Sequence, residues 1–300
     1  DPAVIARFKK PNVYFNGHLD VVPPGTGWTK ETGQMEDGYI YGRGTLDMKG
    51  PCAAFMAAAK ELSKQDIPVG VILTTDEETT MHGAKAVVKG WSGPVPDFVL
   101  VCEPTAFRAM LEEKGAFHFT VTARGKPAHG SMPERGINAL DAVIEVKDRI
   151  EAVAKTMNDT TVNLGVLEGG DKVNMVAQNA RMELDVRFPP QYSQDDLEQL
   201  FFCIGASNGA RVEFATNQYL KPWKAVESKG LELIKELAGG YLYIAPYATE
   251  AVIFEDMCPC AVFGPGEPVG AHEVDEYILL EDLDKVKDMY VSFVRTYDRV

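Results

Sequence analysis

Cysteine is scarce in this chain: five residues, an odd number, are scattered along 300 positions. A disulfide framework needs paired cysteines, so we expect free thiols and a reducing, cytoplasmic compartment. Cys258 and Cys260 are separated only by a proline, which is a weak metal signal. Because they lie in an apolar strand-like run, we interpret them as buried structural thiols.

Long hydrophobic runs are also missing. No segment approaches the roughly 18 apolar residues of a membrane span, and the N-terminus shows no charged-then-apolar signal pattern. Positive charge is in deficit, since 30 Lys and Arg stand against 44 Asp and Glu and give a net charge of −14. Nucleic acid and anionic membrane surfaces repel such a chain, so we expect neither as a partner.

Several common catalytic signatures are absent as well. The sequence contains no indication of a serine or cysteine nucleophile, of a phosphate-binding glycine loop or of a dinucleotide fingerprint. Any chemistry must therefore come from other residues.

The order of the predicted elements indicates an α/β fold. Strand-like segments at 12–20, 68–75 and 96–102 alternate with helical segments at 51–64 and 80–90. Such alternation is typical of βαβ units and predicts a mostly parallel mixed sheet with helices on both faces. The α/β pattern returns near the C-terminus, with helices predicted at 224–237, 249–256 and 280–300 and strands at 241–245 and 259–263.

The middle of the chain follows another pattern. Strands are predicted at 115–124, 160–167, 180–188 and 211–215, and helices at 137–155 and after Ser193, where Asp196 completes a capping-box-like start. This β-α-β-β-α-β order is that of a ferredoxin-like α+β sandwich. We therefore predict a small domain at 108–217, inserted into a larger catalytic domain formed by 1–107 and 218–300.

Acidic residues and histidines follow the apolar runs of the predicted sheet. In an open α/β sheet, ligands bind beyond the carboxyl ends of the strands, so we expect these side chains to meet at one edge. One more acidic residue, Asp47, lies in a glycine-rich loop before the first predicted helix. The set consists of His18, Asp20, Asp47, Glu77, Glu78, Glu103 and His272.

Each motif alone has an ordinary explanation. His18-Leu19-Asp20 can be a structural His–Asp pair, Asp47 a turn residue, Glu77-Glu78 a solvated acidic loop, and His272 a polar surface residue. Together, imidazoles and carboxylates without thiolates favour a pair of divalent cations about 3.5–4 Å apart, with zinc or cobalt as the candidates. One of two adjacent carboxylates can then bind metal while the other serves as a base.

These motifs resemble those of the dinuclear zinc amidohydrolases and peptidases, a family that includes acetylornithine deacetylase, succinyl-diaminopimelate desuccinylase and glutamate carboxypeptidase. The matching segments run in family order along nearly the whole chain, at 17–23, 41–50, 75–79, 103–105, 125–131 and 264–277. Segment 248–251, with Thr249-Glu250, and segments 263–266 and 271–277 are more similar to the acetylornithine deacetylase branch. The desuccinylases tend to have a Gly/Ser-rich stretch at Thr249-Glu250.

The resemblance implies a set of metal ligands for two divalent ions, Zn²⁺ first and Co²⁺ as the alternative. Asp47 would bridge both ions, His18 and Glu103 would complete one site, and Glu78 and His272 the other. A cis peptide is expected after the bridging residue, at Asp47–Met48.

It also implies catalytic roles. Asp20 would orient His18, and Glu77 would be the general base that deprotonates the attacking water and then protonates the leaving amine. His129, in the small domain, would reach the active site of a partner subunit and steady the oxyanion, which implies a homodimer and domain closure.

The resemblance also suggests three residues that would contact the substrate. Asn174 would help to hold the oxyanion, Arg187 the substrate carboxylate, and Glu250 would contribute to substrate binding. Two alternatives stay open: His129 can be a turn residue in a Gly-rich loop, and Arg187 can simply pair with Asp185.

We therefore predict a metal-dependent hydrolase that cleaves the N-acyl amide of an amino acid, as acetylornithine deacetylase does. The alternatives are a succinyl-diaminopimelate desuccinylase, a dipeptidase or carboxypeptidase on the same metal site, and a non-catalytic metal-binding protein. The family begins with a helix and one or two strands before the His-x-Asp strand. Here they are absent or very short, so we expect that a segment before Asp1 is missing.

Overall fold

The first third of the chain builds most of the large sheet. The computed structural model describes residues 2–299, with the side chain of Arg299 excepted; the predicted helical position Val300 lies outside them. The elements are β1 (Ala3–Phe8), β2 (Val13–His18), β3 (Met35–Glu36), β4 (Tyr39–Tyr41), α1 (Lys49–Lys64), β5 (Val69–Thr74), α2 (His82–Gly90), β6 (Phe98–Val101) and β7 (Ala109–Glu113). The predicted helices and strands of this region are confirmed, with the helix ends shifted by a few residues.

The middle third has the predicted β-α-β-β-α-β order. Its elements are β8 (Gly115–Arg124), a 3₁₀ turn at Pro133–Arg135, α3 (Ala139–Ala154), β9 (Thr161–Gly169), β10 (Asn179–Phe188), α4 (Gln194–Phe201) and β11 (Arg211–Leu220). Ser193 and Asp196 form the expected capping box at the start of α4. On β8 the side chains of Phe117, Phe119 and Val121, which alternate along the strand, are fully buried.

The last part returns to the large sheet. Its elements are β12 (Trp223–Lys224), α5 (Lys229–Leu237), β13 (Leu242–Ala245), α6 (Ala251–Phe254), β14 (Cys260–Val262), a 3₁₀ turn at Pro268–Gly270, β15 (Tyr277–Leu279) and α7 (Leu280–Arg299). The prediction that a helix begins at Lys224 is wrong. Helix α5 starts later because the side chain of Ser228 caps it by accepting from the N–H of Leu231.

The large sheet is mixed, as predicted. Its strand order is β1-β5-β2-β6-β14-β7-β12, and β13 pairs with β7. The centre is parallel, because β2 pairs in parallel with β5 and β6, and β14 in parallel with β6. Edge strand β1 is antiparallel to β5. Helix α7 contacts both α1 and α5, while α2 contacts α6 and β1, and α6 contacts β14.

The two remaining sheets are antiparallel. The four strands of the middle segment lie in the order β11-β8-β10-β9, the ferredoxin-like order. A small sheet of order β15-β4-β3 joins the segment before α1 to the segment before α7.

Two compact units result from this topology. The first contains the chain up to Glu112, Lys224–Ala245 and the chain from Thr249 onward; the second contains Glu113–Trp223 and Pro246–Ala248. The sequence predicts boundaries at 107/108 and 217/218, whereas the compact units divide after Glu112 and after Trp223. The difference arises because β7 and β12, two short strands that the sequence does not predict, pair with the large sheet.

Each unit has its own apolar core. In the large unit α1 contributes Phe55, Ala58 and Leu62, spaced along one helix face, to a core shared with the central strands and α7. None of the five cysteines, all of which the structure describes, forms a disulfide, and Cys258 and Cys260 are buried, in agreement with their interpretation as structural thiols. None of the helices in the described part of the chain has the length and apolar character that a membrane span needs.

Candidate metal centre

His18 is the last residue of β2, and its side chain is almost wholly buried. Nδ1 lies 2.9 Å from the backbone oxygen of Asp20 and 3.5 Å from its carboxylate. A carbonyl oxygen can only accept, so Nδ1 carries the proton and the lone pair of Nε2 is available to a metal. Nε2 faces two carboxylates, that of Asp47 at 3.0 Å and that of Glu103 at 3.5 Å.

The carboxylate of Asp20 joins two strand ends. It accepts from the backbone N–H of Glu77 at 3.3 Å and of Glu78 at 3.2 Å, which fixes the loop after β5 against the loop after β2. Burial opposes ionisation, but the hydrogen bonds with His18 and with Glu78 lower the pKa of Asp20. The structure thus places Asp20 where it can orient both His18 and the Glu77-Glu78 pair.

Asp47 stands between two imidazoles. Its Oδ1 faces His18, and its Oδ2 lies 3.4 Å from Nε2 of His272. Burial works against ionisation, yet the hydrogen bonds with these two histidines lower the pKa of Asp47. The Asp47–Met48 peptide bond is cis, as expected.

His272 completes the other side of this arrangement. Its Nε2 also lies 3.0 Å from Oε1 of Glu78. The hydrogen bond with Asp47 and the charge of Glu78 raise the pKa of His272 to about 9, although burial lowers it. Its φ of +66° is in the left-handed region, which a residue with a Cβ seldom adopts.

These contacts define two ligand groups that share one carboxylate. The first ligand group is His18, Asp47 and Glu103, and the second ligand group is Asp47, Glu78 and His272; within each, the donor atoms lie within 4.8 Å of one another. The five residues are those that the family resemblance implies as ligands. The sheet edge brings together segments up to 254 positions apart, from His18 to His272.

The chemistry of the donor set fits divalent cations. Nitrogen and oxygen donors without sulfur suit zinc and similar ions. The carboxylates outnumber the histidines and repel one another: burial, and after it the charge of Asp47, raises the pKa of Glu103 and of Glu78. A cation at either group would relieve this repulsion.

Glu77 lies beside the ligand groups without belonging to either. Burial is the main cause that raises its pKa well above the usual range, and the charges of Glu250, Asp47 and Glu78 add to it while His18 opposes it. A partly buried carboxylate of raised pKa next to metal ligands is suited to take up and release a proton.

Glu250, which we expect to contribute to substrate binding, is buried within the large unit. It is 1% exposed, and its Oε2 accepts from Asn16 Nδ2 at 2.9 Å and from Thr74 Oγ1 at 2.6 Å. These bonds connect it to β2 and β5, the strands that lead to His18 and Glu77. In this position Glu250 supports the sheet below the centre, and its role in substrate binding stays a prediction.

The other predicted site residues lie in the small unit. His129 Nδ1 is 2.8 Å from Ser131 Oγ and accepts from Ser131 N–H at 3.2 Å, so Nε2 carries the proton of the neutral ring. Asn174 is adjacent, since its carbonyl accepts from Gly130 N–H at 2.8 Å. Their roles stay predictions.

Arg187 adopts the alternative left open above. Its Nε and Nη2 donate to the two carboxylate oxygens of Asp185 at 2.9 and 3.1 Å. His118 Nε2 also lies 3.2 Å from this carboxylate. A substrate carboxylate at Arg187 would have to compete with this bidentate pair.

A sheet-edge cluster of this kind, with a shared carboxylate and an adjacent glutamate of raised pKa, defines the class of metal-dependent amidohydrolases and peptidases. The model of Peptidase family M20/M25/M40 matches residues 14–296. The chain belongs to this family and is a metal-dependent hydrolase of amide bonds.

Curated relatives are similar in sequence to this protein over most of the chain. An acetylornithine deacetylase of Photorhabdus laumondii subsp. laumondii is 31% identical over 299 residues, covering 87% of this chain and 74% of the relative. An acetylornithine deacetylase of Proteus mirabilis is 29% identical over 304 residues, covering 94% and 78%.

Solved structures show the same fold at lower identity. A tripeptidase from Staphylococcus aureus superposes with a TM-score of 0.82 at 20% identity and covers 99% of this chain and 85% of its own. A metallo-carboxypeptidase of the M20 family from Sulfolobus solfataricus gives 0.75 at 18% identity, covering 99% and 88%.

Proposed function

We propose that the protein hydrolyses the N-acyl amide of an amino acid, with N-acetylornithine as the first candidate substrate. The observation that carries the proposal is the position of Asp47, whose two oxygens face the histidines of two separate ligand groups, with Glu77 beside them. The family relatives named above support the choice of substrate.

Two divalent ions, Zn²⁺ or alternatively Co²⁺, fit the two ligand groups. When bound, such ions polarise an amide carbonyl and lower the pKa of water to near 7. Within the chain, Glu77 would accept a proton from the attacking water and pass it to the nitrogen of the leaving amine. Asp20 would keep Glu77 in place through the bond to its backbone N–H.

The roles of the small unit complete the proposal. His129 and Asn174 would support the negative charge that develops on the carbonyl oxygen, and Arg187 would bind the substrate carboxylate. We further propose that His129 acts on the site of a partner subunit in a homodimer, and that the protein works in the cytoplasm, where free thiols are stable.

A substrate panel tests the proposal. Purified protein is freed of metal, reloaded with zinc or cobalt, and offered N-acetylornithine, N-succinyl-diaminopimelate and simple dipeptides, while the released amine is measured. We expect amide hydrolysis only in the metal-loaded protein, fastest with N-acetylornithine. A preference for the succinyl compound or for dipeptides would overturn the substrate, and no hydrolysis of any of them by metal-loaded protein would overturn the activity.

A further inference from the structure

Glu276 is a buried carboxylate of the large unit that belongs to neither ligand group. It comes immediately before β15, and its side chain has no exposed surface. Burying a charge is costly unless it is paired and hydrogen-bonded, so the contacts of Glu276 indicate what it stabilises.

One oxygen of Glu276 binds the backbone of the loop that carries Asp47. Oε1 accepts from the N–H groups of Gly44 at 2.9 Å, Leu46 at 2.9 Å and Asp47 at 3.1 Å. The backbone oxygen of Glu276 also accepts from the N–H of Gly42 at 2.8 Å. Bonds to an ionised acceptor are about twice as strong as neutral ones, so this carboxylate determines the path of the loop.

The other oxygen connects Glu276 to the loop that carries His272. Oε2 lies 2.5 Å from Nη1 of Arg43, and Nη2 of the same guanidinium donates to the backbone oxygen of His272 at 3.0 Å. The side chain of Arg43 is 9% exposed. Because His272 has a left-handed backbone, the bond to its carbonyl helps to hold a conformation that is unfavourable in isolation.

We infer that Glu276 and Arg43 are positioning residues that set the second ligand group by fixing the Asp47 loop and the His272 loop against each other. The inference rests on the proposed metal-dependent function. In the first ligand group, by contrast, His18 and Glu103 stand at the ends of β2 and β6 and are held by the large sheet itself. Loss of the Glu276–Arg43 pair therefore weakens cation binding at the second ligand group more than at the first.

Metal titration of the full chain tests this inference directly. Glu276→Gln keeps an oxygen for the three N–H groups but turns an amide NH₂ toward Arg43. Arg43→Lys keeps the charge but loses the fork that spans Glu276 and the His272 carbonyl. Glu267→Gln is the matched control, since Glu267 pairs with Arg108 at 3.0 Å but is 68% exposed.

Metal-free protein is titrated with Co²⁺, followed by visible absorption, and with Zn²⁺ against a chromogenic chelator. We expect two binding steps in the wild type and in the control. We assign the weaker step to the second ligand group, because His272 and Asp47 lie in loops whereas His18 is the last residue of the central strand β2. In Glu276→Gln and in Arg43→Lys, this weaker step should lose about tenfold or more in affinity, as is usual when partners of metal ligands are removed. The stronger step should change less.

The outcomes separate the inference from the function on which it rests. Equal weakening of both steps, or a lower melting temperature with an unchanged ratio of the two affinities, would overturn the inference because a purely structural role has that effect. Two ions bound normally in both variants would overturn the inference alone. A wild type that binds no metal would overturn the proposed function and the inference together. If Glu276→Gln does not fold, Arg43→Lys provides the same test.

Discussion

Replacing Glu77 by glutamine is the sharpest test of the proposed chemistry. The substitution preserves the shape of the side chain and removes its ability to accept a proton. Because Glu77 lies outside both ligand groups, and because Asp20 binds its backbone N–H rather than its side chain, we expect metal binding to persist. The negative charges of Glu250, Asp47 and Glu78 repel an ionised Glu77, and glutamine removes this repulsion. The free energy of unfolding of the metal-free variant should therefore be at least as large as that of the wild type.

The expected loss of turnover follows from the role of this carboxylate. A positioned general acid–base contributes roughly 10²–10⁴-fold to rate, which corresponds to about 3–5 kcal/mol of transition-state stabilisation. The raised pKa of Glu77, caused first by burial, suits both the uptake and the release of a proton. We therefore expect kcat to fall by at least about 10²-fold at unchanged metal content.

The assay compares amine release by Glu77→Gln and by Glu78→Gln, each with its metal content measured. Glu78 belongs to the second ligand group, so its variant should lose activity together with bound metal. Turnover within about tenfold of the wild type in pure, metal-loaded Glu77→Gln would refute the assignment of the base.

Three more outcomes are expected. In metal-free protein the melting temperature should fall as pH rises from about 5 to 9. Burial raises the pKa of Glu103, and the hydrogen bond with Asp47 raises the pKa of His272, so over this range the folded chain binds more protons than the unfolded chain. A melting temperature that rises with pH would contradict this reasoning, and bound zinc should remove most of the pH dependence of the melting temperature. Equal amounts of the Glu77→Gln and His129→Ala variants can be refolded together. If His129 serves the partner's site, half of the dimers are mixed, and each mixed dimer has one site with both residues intact, so roughly one quarter of wild-type activity should return. An inactive mixture would show that His129 does not act on the partner's site. Gly230→Ala should lower the free energy of unfolding in urea by about 1–3 kcal/mol, since its Cβ would lie 2.3 Å from the ring of Phe98. Gly90→Ala is the control: the space around Gly90 is open, so this variant should unfold at the same urea concentration as the wild type or at a higher one.

The sequence predicted the parts of the fold in which hydrophobic period and element length agree. The central strands and α1 have long apolar patterns, and β8 alternates over ten residues, so their burial could be anticipated. The candidate ligands His18 and Glu103 could be anticipated for a similar reason, because they lie at the ends of two strands and the ends of parallel strands share one edge.

Short elements escaped prediction because tertiary pairing, not local pattern, makes them strands. β12 has two residues and β7 has five, and both exist through neighbours that are distant in sequence. Edge strand β1 is half exposed along its length, so it lacks a continuous apolar face. Glu276 escaped for a related reason: its partners are the backbone N–H groups of a loop more than two hundred positions earlier, and no sequence pattern displays such a bond.

The two ligand groups depend on different parts of the fold. The first is anchored by β2 and β6, which are central and fully buried strands of the large sheet. The second takes Glu78 from the loop after β5, but its other two ligands lie in loops that, within the described residues, share regular pairing only through the small antiparallel sheet, in which Tyr41 of β4 pairs with Tyr277 of β15. This link is short and its tyrosines are partly exposed, so it is easier to open than the large sheet. We therefore expect the first ligand group to bind its cation more tightly, and Glu276 and Arg43 supply the bonds that keep the second ligand group assembled beside it.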